Sequence, residues 1–445
     1  MVKFPLRIGR ALLCVLATAA ALPLAAGTAQ EIYDLVGRAL PLTNGKLLFI
    51  RHRYPLLDPV LRTYETYMFA PGTTRITLLQ KYEEKLYIPP IVSRDGSTVC
   101  WHSVIEGNDF LMTTHVEEGR ASRLRFDTGG YFVSIALDYD NDTIAAAIKR
   151  GLNKQGLYVI SNRMGSIRRL REGTQFSEIG FLENGNICYV DTVDGRKILG
   201  IIGEKKGAGK TIEEVDYVKK TPRGDGILYS KGPNLYLFRI YGFDSVQLSR
   251  SFNAESRPPL VSNDGTTVAV LEKDSIKIVN IPSGDIFYLL SMDTEGVNAL
   301  LSDFTFYVAK GKKVYALEHK KTDQPLVELF EHGEEIRILA VSPDDRYLVL
   351  QGSEGDSLLI YNSRESPLGG NTLQGGGLSQ KRVGNEVEQV LYTAAGTAFY
   401  VITRSQYPEH KSPVRELYRY DFAKETLHAI STASNTDVKL YLRKE

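Results

Sequence analysis

The sequence predicts an all-β fold, a single β-propeller of four-stranded blades over residues 30–445. Three observations carry the prediction. A short phrase recurs: Val92-Ser93-Arg94-Asp95-Gly96-Ser97-Thr98-Val99, then Val261-Ser262-Asn263-Asp264-Gly265-Thr266-Thr267-Val268, then Val341-Ser342-Pro343-Asp344-Asp345-Arg346-Tyr347-Leu348. Weaker forms of its polar turn fall between these copies at a spacing of about forty residues, the period of propeller blades. No long amphipathic helix pattern follows residue 30, and Lys81 to Leu86 is too short to count as one.

The chain opens on a secretory signal at 1–29. Lys3, Arg7 and Arg10 form its positive start, 11–26 is apolar, and Gly27-Thr28-Ala29 supplies the small residues a signal peptidase reads. The apolar run contains Pro23 and falls short of the roughly 20 residues of a membrane span, so cleavage before Gln30 is expected. Cys14 sits inside that run behind Leu12 and Leu13, where lipid attachment requires a small residue, and leaves with the signal. The mature chain is therefore expected in the periplasm or outside the cell, with no transmembrane segment. Losing Lys3, Arg7 and Arg10 takes the formal charge from +1 to −2. That balance argues against a nucleic-acid partner, whose footprint is basic. Arg168-Arg169-Leu170-Arg171, Lys205-Lys206 and Lys219-Lys220 read as solvated faces. Cys100 and Cys188 each follow a turn in separate repeats, which predicts buried free thiols.

Turn signals then mark the units in order: Asn44-Gly45, Asp95-Gly96, Asn141-Asp142, Asn184-Gly185, Asp225-Gly226, Asp264-Gly265, Ser302-Asp303, Asp344-Asp345 and Ala395-Gly396. Asx-Gly pairs recur because a tight hairpin needs positive φ. After each turn comes an apolar strand, such as Lys46-Leu47-Leu48-Phe49-Ile50 or Tyr347-Leu348-Val349-Leu350. A third strand follows, as in Asn234-Leu235-Tyr236-Leu237-Phe238, and a fourth, as in Ser245-Val246-Gln247-Leu248. Four short antiparallel strands cannot bury both their faces alone, and radial stacking of such units does. Propellers commonly hold about four to eight blades, so eight is the reading within a range of seven to nine. One anchor is then a decorating hairpin, or the terminal units share a blade. Val438-Lys439-Leu440-Tyr441-Leu442 is a candidate strand for closing the ring against an N-terminal unit.

The pattern Ser-x-Asp-Gly, apolar strand, Tyr-containing strand and short Gly turn resembles the TolB-like, WD40-type propeller repeat. The match is good at Ser93-Arg94-Asp95-Gly96, Ser262-Asn263-Asp264-Gly265 and Ser342-Pro343-Asp344-Asp345, and degraded elsewhere. The small α/β domain that precedes the propeller in TolB has no room here, so its partners do not carry over. The resemblance implies a propeller and often a protein-binding role.

Chemical motifs are weaker. Gly203-Glu204-Lys205-Lys206-Gly207-Ala208-Gly209-Lys210-Thr211 resembles a phosphate loop, but five residues separate its first Gly from the Gly-Lys pair where the motif has four, and no helix follows. A basic hairpin tip is the simpler reading, and no cofactor is called for. Asp138, Asp140 and Asp142 begin like a calcium loop, yet Thr143 stands where Gly belongs and Lys149 where a bidentate Glu belongs. A polar turn accounts for them, with weak calcium binding as the alternative. Gly355-Asp356-Ser357-Leu358 matches a lipase signature outside its domain context, and no Gly-x-Ser-x-Gly elbow occurs. The seven histidines form no paired zinc motif; His52 and His102 follow strands in the first two units and are candidates to face the channel, with rim or strand-end positions the commoner reading.

Three excursions stand out. The segment from Arg51 to Tyr64 begins Arg51, His52, Arg53, Tyr54, the segment from Arg364 to Asn385 carries Lys381 and Arg382, and Tyr407 to Val414 holds two prolines. Loops on rigid scaffolds carry function, and Arg and aromatic residues dominate interface hot spots. Arg51, His52, Arg53, Tyr54, Lys381 and Arg382 are thus the interaction candidates. The expected function is an exported scaffold binding a protein or cell-envelope component. The alternatives are an enzyme centred on the channel, whose carboxylates or histidines would converge only in the ring, and a carbohydrate binder using its tyrosines.

Overall fold

Every one of the turn anchors joins the first and second strands of an antiparallel sheet, and there are nine such four-stranded sheets. The computed structural model describes residues 31–55, 63–71, 75–82, 88–105, 108–118, 121–125, 130–151, 154–161, 165–203, 209–321, 325–353, 355, 357–363, 377–382, 386–393, 396–407, 413–424 and 426–432. The blades run 31–82, 91–125, 131–173, 176–213, 218–249, 260–291, 297–331, 336–382 and 386–431. Eight was therefore one short within the expected range. No anchor is a decorating hairpin, and the turn chemistry reported the count better than the customary size of propellers did.

Strand alternation explains the packing. Successive side chains on a strand point to opposite faces. In blade 5, Ile227 and Tyr229 pack against blade 4, while Leu228 between them packs against blade 6. Such strands are buried on both faces, which is why Thr267–Leu271 is buried throughout. Nine apolar clusters result, one at each boundary between neighbouring blades. Trp101 fills the boundary of blades 1 and 2. Cys100 lies between blades 2 and 3 and Cys188 between blades 4 and 5, so the two free thiols are in different layers. Burial pushes their pKa values up to about 12 and about 11, which keeps both protonated and inert.

The ring closes by packing. Leu47, Phe49, Tyr67 and Phe69 of blade 1 interlock with Tyr400, Ile402, Leu417 and Ile430 of blade 9. The Tyr400 hydroxyl donates to the Gly45 carbonyl at 2.6 Å. Among the described residues no strand is shared between the two blades, and the candidate closing strand 438–442 lies outside them.

The recurrent phrase is a hydrogen-bonded device. Ser93 Oγ donates to Asp95 Oδ1 at 2.5 Å and accepts the Thr98 N–H at 2.9 Å, while the Ser97 N–H donates to Asp95 Oδ1 at 3.0 Å. Ser262 and Ser342 repeat all three bonds. Degraded copies keep part of it: Thr221 serves Asp225 and Gly226, and Ser302 serves Thr305. Because strands alternate in direction, the first and third turns of every blade emerge on one face of the disc, here the turn face. The other connections emerge on the opposite, return face.

Candidate functional site

The described innermost strands carry the charged residues Glu31, Asp34, Arg38, Glu178, Lys219, Lys220, Arg337, Glu386 and Glu388, and no histidine. Among the described residues, no three His, Cys, Asp or Glu side chains converge as a metal site. Asp138 spends its Oδ1 accepting the Thr143 N–H at 3.1 Å, which closes the blade 3 turn. His102 is buried with its Nε2 2.6 Å from Asp109 Oδ1, and His52 packs edge-on to Tyr64 with ring centroids 4.0 Å apart. Both histidines stand on second strands (Leu47–Pro55 and Thr98–Ile105), so neither belongs to the strand lining the channel.

Two adjoining hollows lie on the turn face, across blades 2 to 6, and a smaller one of about 320 Å³ lies on the return face between Arg196 of blade 4 and Asp216. One hollow of about 510 Å³ is lined by Arg94, Asp138, Tyr139, Asp140 and Glu183, among others. Its floor is assembled from three blades. Tyr139 of blade 3 donates its hydroxyl to the Phe181 carbonyl of blade 4 at 3.3 Å. Lys220 of blade 5 donates to that carbonyl at 2.9 Å and to the Tyr139 oxygen at 3.3 Å. The Tyr139 ring also meets the Arg94 guanidinium at 5.6 Å and the Lys220 ammonium at 5.2 Å. Burial raises the Tyr139 pKa and lowers that of Lys220, disfavouring the charged form of each. Gly224 makes the approach possible: at φ +75° it tolerates a conformation other residues avoid, and a Cβ there would run into the Tyr139 hydroxyl.

A second hollow of about 520 Å³ adjoins the first and shares Glu183 with it. Tyr241 donates to Glu183 Oε2 at 2.7 Å, and Arg223 reaches Glu183 Oε1 at 3.5 Å, so Glu183 is the ridge between the hollows. The hydrogen bond to Glu183 raises the Tyr241 pKa. Tyr241 is nonetheless 72 % exposed, and Phe304 on the same face is 54 % exposed. The Lys320 ammonium lies 4.9 Å from the Phe304 ring and 2.7 Å from Asp264 Oδ2. Burial opposes ionisation of Asp264, but bonds from Lys320, Ser262 and Thr266 hold its carboxyl well below the usual range. A surface of exposed aromatics, Arg and Lys beside two hollows has the composition of a recognition surface.

The interaction candidates from the sequence lie elsewhere. Arg51, His52, Arg53 and Tyr54 belong to the strand Leu47–Pro55, so the expected excursion starts only after Pro55, and 56–62 lies outside the described residues. Arg51 is 1 % exposed, its Nε 3.3 Å from Glu65 and its Nη2 donating to the Tyr67 hydroxyl at 2.8 Å. Arg53 is half-buried, 3.6 Å from Glu65 Oε1. Lys381 and Arg382 end the strand Gly377–Arg382, the outer strand of blade 8, which corrects the reading of 364–385 as one loop. The side chains of Tyr54, Lys381 and Arg382 lie outside the described residues. The excursion at 407–414 includes 408–412, also outside them. The phosphate-loop-like segment joins two antiparallel strands, Arg196–Ile202 and Gly209–Glu213, with 204–208 outside the described residues.

No protein-family model matches the chain, and no curated protein matches it. Solved structures do. TolB from Acinetobacter baumannii is 11 % identical, with 56 % of this chain and 77 % of that one covered and a TM-score of 0.34. An oligogalacturonate lyase in complex with manganese is 11 % identical over 73 % of this chain and 94 % of that one, TM-score 0.41. The Dos1 propeller is 15 % identical over 71 % and 90 %, TM-score 0.42. These likenesses concern fold alone. Among the described residues the strands themselves make the chain a nine-bladed propeller.

Proposed function

We propose that the chain is an exported scaffold whose turn face binds a protein or cell-envelope component. The observation that carries this reading is that Arg94, Arg223 and exposed Tyr241 line adjoining hollows on a face of the ring that also presents exposed Phe304 beside Lys320. The signal at 1–29 supports export to the periplasm or beyond. Crosslinking in intact cells followed by recovery of the tagged full chain tests it. Changing Tyr241 and Phe304 together to Ala should cut partner recovery by about tenfold or more, the loss of one hot-spot contact, while the folded β signature stays. Unchanged recovery would end the assignment to this face, and a cytoplasmic chain would end the export reading.

Topology favours one second reading. Arg53 and Tyr54 end a second strand, and Lys381 and Arg382 end a fourth strand, so both pairs lead onto the return face. Partner loss on changing Arg53 and Tyr54 to Ala, with the turn-face double variant intact, would move the site there. Arg51 is no part of that test, because its guanidinium is internal to blade 1.

A further inference from the structure

The outer strand of blade 6, Ile286–Ser291, is unlike the other outer strands. It is the last strand of its sheet, so one edge pairs with Ser275–Asn280 and the other meets no strand among the described residues. Its sequence, Ile286-Phe287-Tyr288-Leu289-Leu290-Ser291, carries no charge. The outer strands of the other blades each carry a charged residue or a histidine, such as Arg168 and Arg169 in blade 3 or Glu328 in blade 7. Such charges are how natural sheets protect an edge from pairing with other chains. Blade 6 lacks them and exposes Ile286 by 55 %, Phe287 by 48 % and Leu289 by 63 %. Tyr288 and Leu290 face the other way, into the boundary with blade 7, and the Tyr288 hydroxyl bonds the Lys321 carbonyl. The strand is thus fixed in place from one side while its apolar side stays open.

We infer that this edge accepts an extended peptide segment of a partner protein, which adds as a fifth strand. Main-chain bonds would hold the segment, and Phe287 and Leu289 would receive its alternate apolar side chains. Charge sets the flanks of the occupant. Asp285 precedes the strand and Glu295 follows it, both exposed, while Asp293 between them is paired with Lys310 at 3.1 Å. An apolar segment bracketed by Lys or Arg complements that arrangement. A second copy of this chain does not: it would bring the same acids to the same ends. Three side chains near half exposure also offer only on the order of 300 Å² per copy, against about 800 Å² per partner in a stable interface.

The test uses the full mature chain and a synthetic peptide, acetyl-Lys-Lys-Val-Thr-Val-Thr-Val-Lys-Lys-amide, titrated by fluorescence anisotropy. Saturable binding is expected, at least about tenfold weaker with Leu289→Lys, which restores an edge charge, and equally weakened by N-methylation of alternate peptide amides. Replacing the flanking Lys by Glu should weaken it to a similar degree. Absent binding, or binding indifferent to Leu289→Lys or to N-methylation, overturns the inference. Sedimentation showing dimers abolished by Leu289→Lys would assign the edge to a second copy and overturn it as well. The Tyr241→Ala and Phe304→Ala pair should leave peptide binding unchanged, so failure of the turn-face reading and failure of this one are separable.

Discussion

Blades 6 and 8 carry the same hydrogen-bonded turn with a different residue at its fourth position, Gly265 in one and Asp345 in the other. Ser262 and Ser342 make identical bonds to Asp264 and Asp344 and to the backbone five residues on. The next position differs. Gly265 has φ +69°, and Asp345 holds a similar φ of +54° without glycine's freedom. Each position faces the preceding blade. A Cβ on Gly265 would lie 2.8 Å from Arg223 Cγ and 3.0 Å from the Arg223 backbone nitrogen, so in blade 6 the seam leaves no room for a side chain. In blade 8 the extra side chain makes the seam itself, with Ser302 Oγ donating to Asp345 Oδ2 at 2.7 Å. Gly96 and Gly224 repeat the blade 6 solution: Thr43 N–H donates to the Gly96 carbonyl at 3.1 Å and Glu183 N–H to the Gly224 carbonyl at 3.0 Å. The glycine of the repeat therefore does two things. It permits the turn, and it lets the neighbouring blade come close.

Gly265→Ala should do the most damage, combining left-handed strain with a backbone clash for about 2–4 kcal/mol, read as a lower urea midpoint. A tolerated alanine would mean that the seam has slack. Asp345→Asn should act next, and with pH. Burial, with Asp303 and Asp344 nearby, raises the Asp345 carboxyl from 3.8 to about 6. A raised acid supports the fold fully below about pH 4 and loses that support as pH rises through 6. The wild type should thus lose on the order of 2–3 kcal/mol between pH 4 and 7 that the Asn variant keeps. Identical pH profiles would show that Asp345 is ionised at little cost. Ser342→Ala should cost about 1–2 kcal/mol by stranding the Tyr347 N–H, with the same penalty for Ser262→Ala if the two turns are equivalent. Lys320→Ala, which removes a half-exposed partner of Asp264, should cost less than about 1 kcal/mol and fade further in high salt.

The same turns explain what could be read in advance. Ser-x-Asp-Gly is a local code: its bonds span five residues, so all nine anchors in the sequence proved to be blade turns. The candidate site is not local. Tyr139, Phe181 and Lys220 come from three blades and meet only once the ring is closed. Tyr241 and Phe304 resemble any strand-end aromatic until their exposure is seen. Arg51 was misplaced for a different reason. Its charge suggested a surface loop, but Glu65 stands directly opposite it across the strand pair, and that register satisfies it internally. Reading Arg51 and Glu65 as a cross-strand pair would have placed both inside blade 1.

Among the described residues the ring closes without a shared strand, and this has a mechanical outcome. The join between blades 9 and 1 is made of the same kind of side-chain contact as any other boundary, plus the Tyr400 to Gly45 bond. Among the described residues no strand latches the circle. Tension applied to the two ends should therefore split the disc at that join first and peel it blade by blade, where a ring buckled by an interwoven strand would resist until it tore as a whole.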